Sequence, residues 1–366
     1  MQRKFNFSPI NVPANLKEKK NLIFEYEQEN SGANGFDNFL PIPDLKSASN
    51  KNIFGLEISR EVVVNQTIHL LRKIILKKDG ETVHATHLST ISKYLRMLSL
   101  EDLTKMILPL QKSLSEEPVL EIKDLFYNVV SLAGSNPAAM LIKDNIENGL
   151  LFGESATKPL FEMIRSVRTP TKELLSELIQ LVKTLKSLES ESKDLHNIGL
   201  IELSKLLMRA CVHPTRSVTE FPVKVYGQFC SKNSAILTES WIPYLESELN
   251  SAFSDEDANE KEAEVIIHAL GNLGHIKAAK PLIKIIDKKY KNASPILRSF
   301  AVYNLKQSSV LYPSLLRPTL TSLIENRAEN VQVRVAAVST LPWSNPSKTD
   351  LLKIATQTWQ DPSREV

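Results

Sequence analysis

Glycine and long apolar runs are scarce in this sequence. Only 11 of its 366 residues are glycine, roughly half of the usual share of about 7%. All-β and Rossmann-type chains use glycine freely, so this scarcity favours a helical protein. No run of 18 or more apolar residues occurs, which argues against a transmembrane segment. The N-terminal MQRKFNFSPINVPANL lacks the apolar core of a secretory signal.

The chain also lacks a large excess of positive or negative charge. The formal net charge is +3, and lysine and glutamate alternate along the chain without arginine-rich or aromatic-studded patches. This pattern predicts solvated helix faces and no nucleic-acid partner.

Features of secreted proteins are few. The two cysteines, Cys211 and Cys230, are compatible with one disulfide bond or with two buried thiols. Sequons for N-glycosylation occur at Asn6, Asn65 and Asn292, a number that also arises by chance. Composition alone therefore leaves the compartment open.

The chain divides into two parts of different character. Residues 1–58 are punctuated by Pro, Asn, Ser and Gly, and they are predicted to be a largely irregular linker or the remnant of an upstream β-barrel. Residues 59–366 carry apolar residues at helical spacing and predict an array of helices of about 10 to 20 residues. Ser99 followed by Asp102 predicts a helix start. Polar residues before proline, at Asn136, Thr169 and Ser294, predict others.

A repeat appears in the C-terminal third. Its first helix occurs three times, with offsets of 32 and 36 residues between copies, and a second helix follows each copy. The last two copies carry Arg298 and Arg334, where the first has Ile266. The predicted repeat core consists of Ala269, Leu270, Leu273, Ala301, Val302, Leu305, Ala337, Val338 and Leu341.

This spacing is typical of helical solenoids. We therefore predict an all-α fold, a right-handed two-layer α-α superhelix of the HEAT-like kind, in which each helix pair buries its apolar face against its neighbours. Gly271 and Gly274 are predicted to let the chain leave one helix and enter the next. DPSREV at the end would begin another helix, so the superhelical domain is expected to be truncated there.

A search for catalytic and metal-binding motifs returns little. No P-loop, HExxH, GxSxG, EF-hand or CxxC motif occurs, and neither an enzyme nor a resident cofactor is predicted. His84 and His87 would share one helix face and could supply two zinc ligands, but two solvated histidines are the preferred interpretation. Shared metal binding by His268 and His275 is disfavoured, because GNLG lies between them.

Three segments resemble the helical region of the large lipid transfer proteins, a family that includes vitellogenins, apolipophorins, apolipoprotein B and microsomal triglyceride transfer protein. They are DLFYNVVSLAGSNPAAMLIKD (Asp124–Asp144), EVIIHALGNLGHIKAAKPL, and the terminal VQVRVAAVSTLPWSNPSKTDLLKIATQTWQDPSREV. Ser135 replaces a frequent Thr, and Ile276-Lys277 stands where Pro is common. The resemblance runs colinearly over about residues 60–366 and is greatest to invertebrate vitellogenins.

The resemblance implies a two-layer helical scaffold, the lipovitellin superhelical domain, around a lipid cavity formed elsewhere in a longer secreted protein. It implies bound phospholipid and neutral lipid, a cell-surface lipoprotein receptor, a possible oligomer interface, and a Cys211–Cys230 disulfide bond. It also gives the three sequons more weight. Lipid transport with yolk storage is thus the first functional hypothesis. A lipid-free helical-repeat adaptor for a protein partner is the second, because solenoids commonly bind proteins on their concave surfaces.

Overall fold

Helices dominate the described part of the chain. A computed structural model describes residues 60–76, 81–113, 119–167, 169–186, 193–212, 233–254, 259–363 and 365–366, and these residues contain no β-strand. The all-α prediction is therefore confirmed for this part. Segment 1–58, predicted to be irregular, lies outside the described residues, and its prediction stays untested.

The α-helices follow one another with short connections. In chain order they are α1 (Arg60–Ile75), α2 (Glu81–Arg96), α3 (Leu100–Ser113), α4 (Val119–Ser131), α5 (Asn136–Glu147), α6 (Gly153–Ser166), α7 (Lys172–Leu185), α8 (Lys193–Leu207), α9 (Ile242–Ala252), α10 (Glu260–Leu273), α11 (Ile276–Ile286), α12 (Pro295–Tyr303), α13 (Lys306–Leu311), α14 (Pro313–Glu325), α15 (Val331–Thr340) and α16 (Lys348–Gln360). π-Helical turns extend α8 (Met208–Val212) and precede α9 (Ile236–Trp241), and a 3₁₀ turn (Leu341–Ser344) follows α15.

Two of the predicted helix starts, Ser99 and Ser294, cap their helices in the structure. Before α3, the Asp102 amide donates to Ser99 Oγ and the Ser99 amide donates to the Asp102 carboxylate. Before α12, Ser294 Oγ accepts from the Leu297 amide at 3.2 Å. Each cap satisfies a backbone N–H that the first helical turn leaves without a partner.

Two other predicted starts are displaced. The caps are Ser135, which accepts from the Ala138 amide, and Thr171. Asn136 instead joins two connections, because its Nδ2 donates to the Thr169 carbonyl and its Oδ1 accepts from the Thr171 amide. Pro137 is the second residue of α5, whereas Pro170 lies just before the cap of α7, so the place of a proline predicts the helix start only to within a residue or two.

The helices pack in two layers, as the repeat predicted. In layer A, α2, α4, α6, α8, α10, α12 and α15 contact one another in that order. In layer B, α1, α3, α5, α7, α9 and α11 form the second series, with the π-helical turn before α9 bridging from α7. Consecutive helices alternate between the layers along most of the chain, which makes this an all-α superhelical solenoid.

The predicted repeat core is buried. Eight of its nine residues are at most 1% exposed, and Val338 is partly buried. The repeat differs from a simple helix pair at one point, because the short α13 and the 3₁₀ turn follow α12 and α15 before the second helix begins. Six residues of α13 are too few for a periodic apolar pattern, so periodicity could not predict it.

The two glycines of GNLG have different roles. Gly274 ends α10 in the left-handed conformation, with φ of 61°, as expected of a glycine at a helix end. Gly271 does not break the helix, so the prediction that both glycines do so is wrong. It is buried within α10, where an added Cβ would lie 2.6 Å from Asn304 Oδ1 and 2.7 Å from the Asn304 carbonyl oxygen. Gly271 therefore allows the end of α12 to approach α10 closely.

None of the described helices has the length and apolar content needed to cross a lipid bilayer.

We predict that Gly271→Ala destabilises the chain. The new methyl group would force the Asn304 backbone away from α10, and overpacking of this kind costs about 1–3 kcal/mol. Asn272→Ala, at the neighbouring partly exposed position, should change stability by less than about 0.5 kcal/mol. Urea denaturation followed by circular dichroism measures both effects. Equal midpoints for the two variants would show that α10 and α12 do not need this contact.

Candidate functional site in the C-terminal repeats

A buried arginine joins three helices in the second repeat. Arg298 on α12 is 4% exposed. Its Nε and Nη2 donate to the Ile286 carbonyl at the end of α11, at 3.1 and 2.7 Å. Its Nη1 and Nη2 donate to the two carboxylate oxygens of Glu329, at 2.8 and 2.7 Å. Because Glu329 directly precedes the N-cap of α15, one side chain holds α11, α12 and α15 together.

The third repeat contains the same arrangement. Arg334 on α15 donates from Nε and Nη2 to the Ile324 carbonyl near the end of α14, at 3.3 and 3.1 Å. Its guanidinium also binds the Asp361 carboxylate just after α16, and both side chains are 1% exposed. Asp361 was predicted to begin a further helix, but no helix follows it among the described residues. In the first repeat, Ile266 fills the matching position as an ordinary apolar core residue.

Both carboxylates are held in the ionised form. The hydrogen bond from Arg298 lowers the pKa of Glu329 to about 2, against the opposing effect of burial, and the Asn330 amide adds to the shift. The hydrogen bond from Arg334 likewise lowers the pKa of Asp361. A buried ion pair stabilises little relative to apolar packing, but the loss of one partner leaves an uncompensated charge. The two pairs therefore fix which helices are neighbours.

A further ionic cluster connects α5 with α7 in layer B. The Lys143 ammonium is 2.6 Å from Glu177 Oε2 and 2.9 Å from Glu147 Oε2. Burial alone would lower the pKa of Lys143, but the hydrogen bonds to Glu177 and Glu147 outweigh it and raise the pKa. The lysine is therefore charged and serves as a tie between neighbouring helices.

One buried histidine is neutral. His196 Nε2 lies 3.0 Å from the Tyr244 hydroxyl, which connects α8 with α9. Burial, with a contribution from the charge of Lys186, lowers the pKa of His196 to about 4. Burial also raises the pKa of Tyr244. Both groups are uncharged at neutral pH, and the pair is a packing contact with one hydrogen bond.

The histidines of the first repeat have structural contacts. His268 Nδ1 lies 3.2 Å from Asn304 Oδ1, and its ring meets the edge of Phe300. His275 caps α11 by accepting from the Lys277 amide at 3.1 Å. The fold thus places the two imidazoles in separate packing contacts on either side of Gly274.

The histidine pair His84 and His87 lies on α2, three residues apart as expected. The side chain of His84 lies outside the described residues, and His87 is half-buried. Across the described ranges, no three or more His, Cys, Asp or Glu side chains are grouped so that they could hold a metal ion. The zinc hypothesis receives no support from a third ligand there.

The structure describes only some of the predicted cysteine and sequon residues. Cys211 is buried in the π-helical turn after α8, but Cys230 lies outside the described residues, as does Asn6. Asn65 is exposed on α1, yet Thr67 of the same sequon is fully buried and its hydroxyl donates to the Val63 carbonyl. Asn292 is exposed in the connection between α11 and α12. A surface loop is the usual setting of a modified sequon.

The surface around the terminal repeats offers an open polar cleft rather than an enclosed apolar cavity. The cleft has a volume of about 510 Å³ and is lined by residues that include Arg317, Glu325 and Asp350. The cleft is open to solvent and carries charged side chains, unlike the enclosed and mostly apolar pockets that bind apolar ligands.

The fold and its buried contacts define a class of protein, a two-layer helical-repeat scaffold. Comparison with known proteins identifies the family. The sequence model of the vitellogenin TPR domain matches residues 62–366, and the chain belongs to this family.

Relatives come from insects and a crustacean. The chain is 29% identical to vitellogenin of Bombyx mori over 242 residues, which is 66% of this chain and 13% of that protein. It is 29% identical to vitellogenin-1 of Solenopsis invicta over 66% of this chain and 14% of that protein. It is 26% identical to hemolymph clottable protein of Penaeus monodon, again over 66% of this chain and 14% of that protein. The matched region thus spans about one seventh of the length of these relatives.

A solved structure of lipovitellin, described for its lipid–protein interactions, has a similar fold. It superposes with a TM-score of 0.64 over 87% of this chain and 30% of the lipovitellin chain, at 14% sequence identity. At this identity the similarity concerns the fold alone. It confirms the superhelical solenoid that the repeat predicted.

We predict that Arg298→Met costs about 3–5 kcal/mol of stability, because it leaves Glu329 buried without its guanidinium partner. The double variant Arg298→Met/Glu329→Gln should lose clearly less than the sum of the two single losses. Lys289→Met is the control and should have little effect on stability, because Lys289 is exposed in the connection between α11 and α12. If the denaturation midpoints show that the two single losses simply add in the double variant, Arg298 and Glu329 do not pair directly.

Acid should weaken the same contact. Because the pKa of Glu329 lies below the ordinary 4.5 in the folded chain, its stabilisation is complete well above pH 4.5 and disappears as the pH falls towards 2. We expect the stability difference between wild type and Glu329→Gln to shrink over that interval. Glu264→Gln, which removes an exposed carboxylate of α10, should leave the pH profile unchanged. Denaturation midpoints at pH 6 and at pH 2.5 measure this, and a constant Glu329→Gln difference would exclude the assignment.

Proposed function

We propose that this chain is the helical-repeat scaffold of a secreted, vitellogenin-like protein that carries lipid and stores nutrients for the egg. The observation that carries the proposal is the family match over residues 62–366, which coincides with the solenoid. The relatives are named vitellogenins, and the similar solved structure is of lipovitellin. The role of the chain itself is mechanical: it forms a curved two-layer wall.

The described residues suit such a wall. The apolar core is continuous from α1 to α15, and the buried ion pairs of Arg298 and Arg334 hold successive repeats in register. The cleft beside the terminal repeats is open and carries charged side chains, so we expect phospholipid and neutral lipid to bind to other regions of the polypeptide. Recognition by a cell-surface lipoprotein receptor and assembly into oligomers belong to the same proposal for the whole protein.

Secretion implies two covalent features. We expect Cys211 and Cys230 to form a disulfide bond, which would close the loop of residues 212–229. We expect N-glycans, with Asn292 the best-placed of the three sequons because it is exposed in a connection. Asn65 and Asn6 stay as further candidates, although Asn65 lies within a helix.

The test is to purify the native protein from extracellular fluid with an antibody raised against residues 60–366. Extraction and mass spectrometry should find phospholipid and neutral lipid that co-purify with it. Peptide mapping of the same preparation without reduction should find the Cys211–Cys230 bond and a glycan at Asn292. An intracellular, lipid-free protein with free thiols would contradict the proposal and would favour a lipid-free adaptor.

A further inference from the structure

The surface of α11 concentrates positive charge. Residues 277–291 contain six lysines and a single acid, Asp287, although the formal charge of the whole chain is only +3. We define the lysine row as the six residues Lys277, Lys280, Lys284, Lys288, Lys289 and Lys291. This one connection and helix therefore carry more net positive charge than the protein as a whole.

The row follows one face of the helix. Lys277, Lys280 and Lys284 are three and four residues apart, which places them on one side of α11, while Leu282 and Ile285 on the other side are fully buried. Lys288 continues the row beyond the helix in a left-handed backbone conformation, with φ of 60°. The row extends over roughly 16 Å from Lys277 to Lys288 at the rise of an α-helix.

Most of the charge on the row faces solvent. Lys284 lies 2.6 Å from Glu246 on α9, and Lys288 lies 3.4 Å from Glu329. Among the residues that the structure describes, Lys277, Lys280 and Lys289 form no ion pair, and all three are exposed. Near both ends, the row thus presents positive charge without an ionic partner among the described residues, from Lys277 and Lys280 on α11 and from Lys289 in the connection that follows.

The neighbouring surfaces restrict what can bind. An anionic bilayer would lie against several helices at once, and α9 beside the row presents Glu246, with the exposed Glu239 in the turn before it. Membrane-surface helices also insert large apolar side chains. The described residues of α9 and α11 expose none, and the exposed apolar residue that follows the row in sequence, Ile296, lies on α12. A narrow row of lysines complements an extended acidic chain rather than a plane.

From this charge complementarity we propose that the lysine row is a docking surface for an acidic, extended segment of a partner protein. The segment lies along α11, and its carboxylates pair with Lys277, Lys280 and Lys289. A glycan at Asn292 would flank the far end of the row and leave Lys277 and Lys280 uncovered. This proposal goes beyond the lipid-carrying role and does not depend on it.

The experiment uses the 366-residue chain and a fluorescein-labelled peptide of ten glutamates. Fluorescence anisotropy at low ionic strength should show binding that weakens steeply as salt is added, because exposed charges are screened. Lys277→Gln/Lys280→Gln/Lys289→Gln should reduce the affinity at least tenfold. The matched control Lys158→Gln/Lys172→Gln/Lys193→Gln removes three exposed lysines elsewhere and should reduce it less than twofold.

Circular dichroism of both triple variants should match the wild type, since all six side chains are exposed. Equal losses in the two variants would show that net charge alone attracts the peptide, and absence of binding would likewise overturn the proposal. Phosphatidylserine vesicles serve as the competing probe. If they bind the wild type and lose binding in the lysine-row variant but not in the control, the surface recognises membranes and the acidic-segment proposal fails.

Discussion

Two buried guanidinium groups determine how the C-terminal repeats fit together. An arginine in a protein interior is costly unless every donor finds an acceptor, and here each one meets a helix-terminal carbonyl and a carboxylate. The carbonyl belongs to the preceding helix and the carboxylate to a later connection. A shift of either helix by one turn would leave a charge buried alone, so only one register is tolerated. Apolar seams, by contrast, accept related packings at smaller cost.

Close backbone approach in the seam adds a second constraint. Small residues line the contacts between layer A helices, and Ala269, Ala301 and Ala337 are fully buried. Gly271 has no side chain at all, so Asn304 at the end of α12 lies directly against α10. The Oδ1 atom of Asn304 also contacts His268. The contact between His268 and Asn304 and the close approach at Gly271 thus act together, and both restrict how far α12 can shift along α10. The packing of α12 against α10 depends on these few contacts.

Much of this fold could be predicted from the sequence, because apolar periodicity and the alanine repeat are local patterns that report burial directly. The partners of Arg298 and Arg334 could not, since Glu329 and Asp361 lie 31 and 27 residues downstream and share no surrounding motif. The signal available in the sequence was that the two arginines occupy the same position of the repeat. That signal is weak, because an arginine on a helix is usually exposed to solvent. The histidines drew attention as possible ligands, whereas their contacts are with Asn304, Phe300 and a helix N-terminus.

Coupling between repeats is the central claim, because coupled repeats would make the helical scaffold hold one shape. Native-state hydrogen exchange with mass spectrometry tests it most directly. In mild denaturant, the amides of α10, α12 and α15 should open with one shared free energy, because Gly271 and Asn304 join α10 to α12 and the Arg298–Glu329 pair joins α12 to the start of α15. If α15 exchanges at a much lower free energy than α10 and α12, the repeats unfold independently and the account is contradicted.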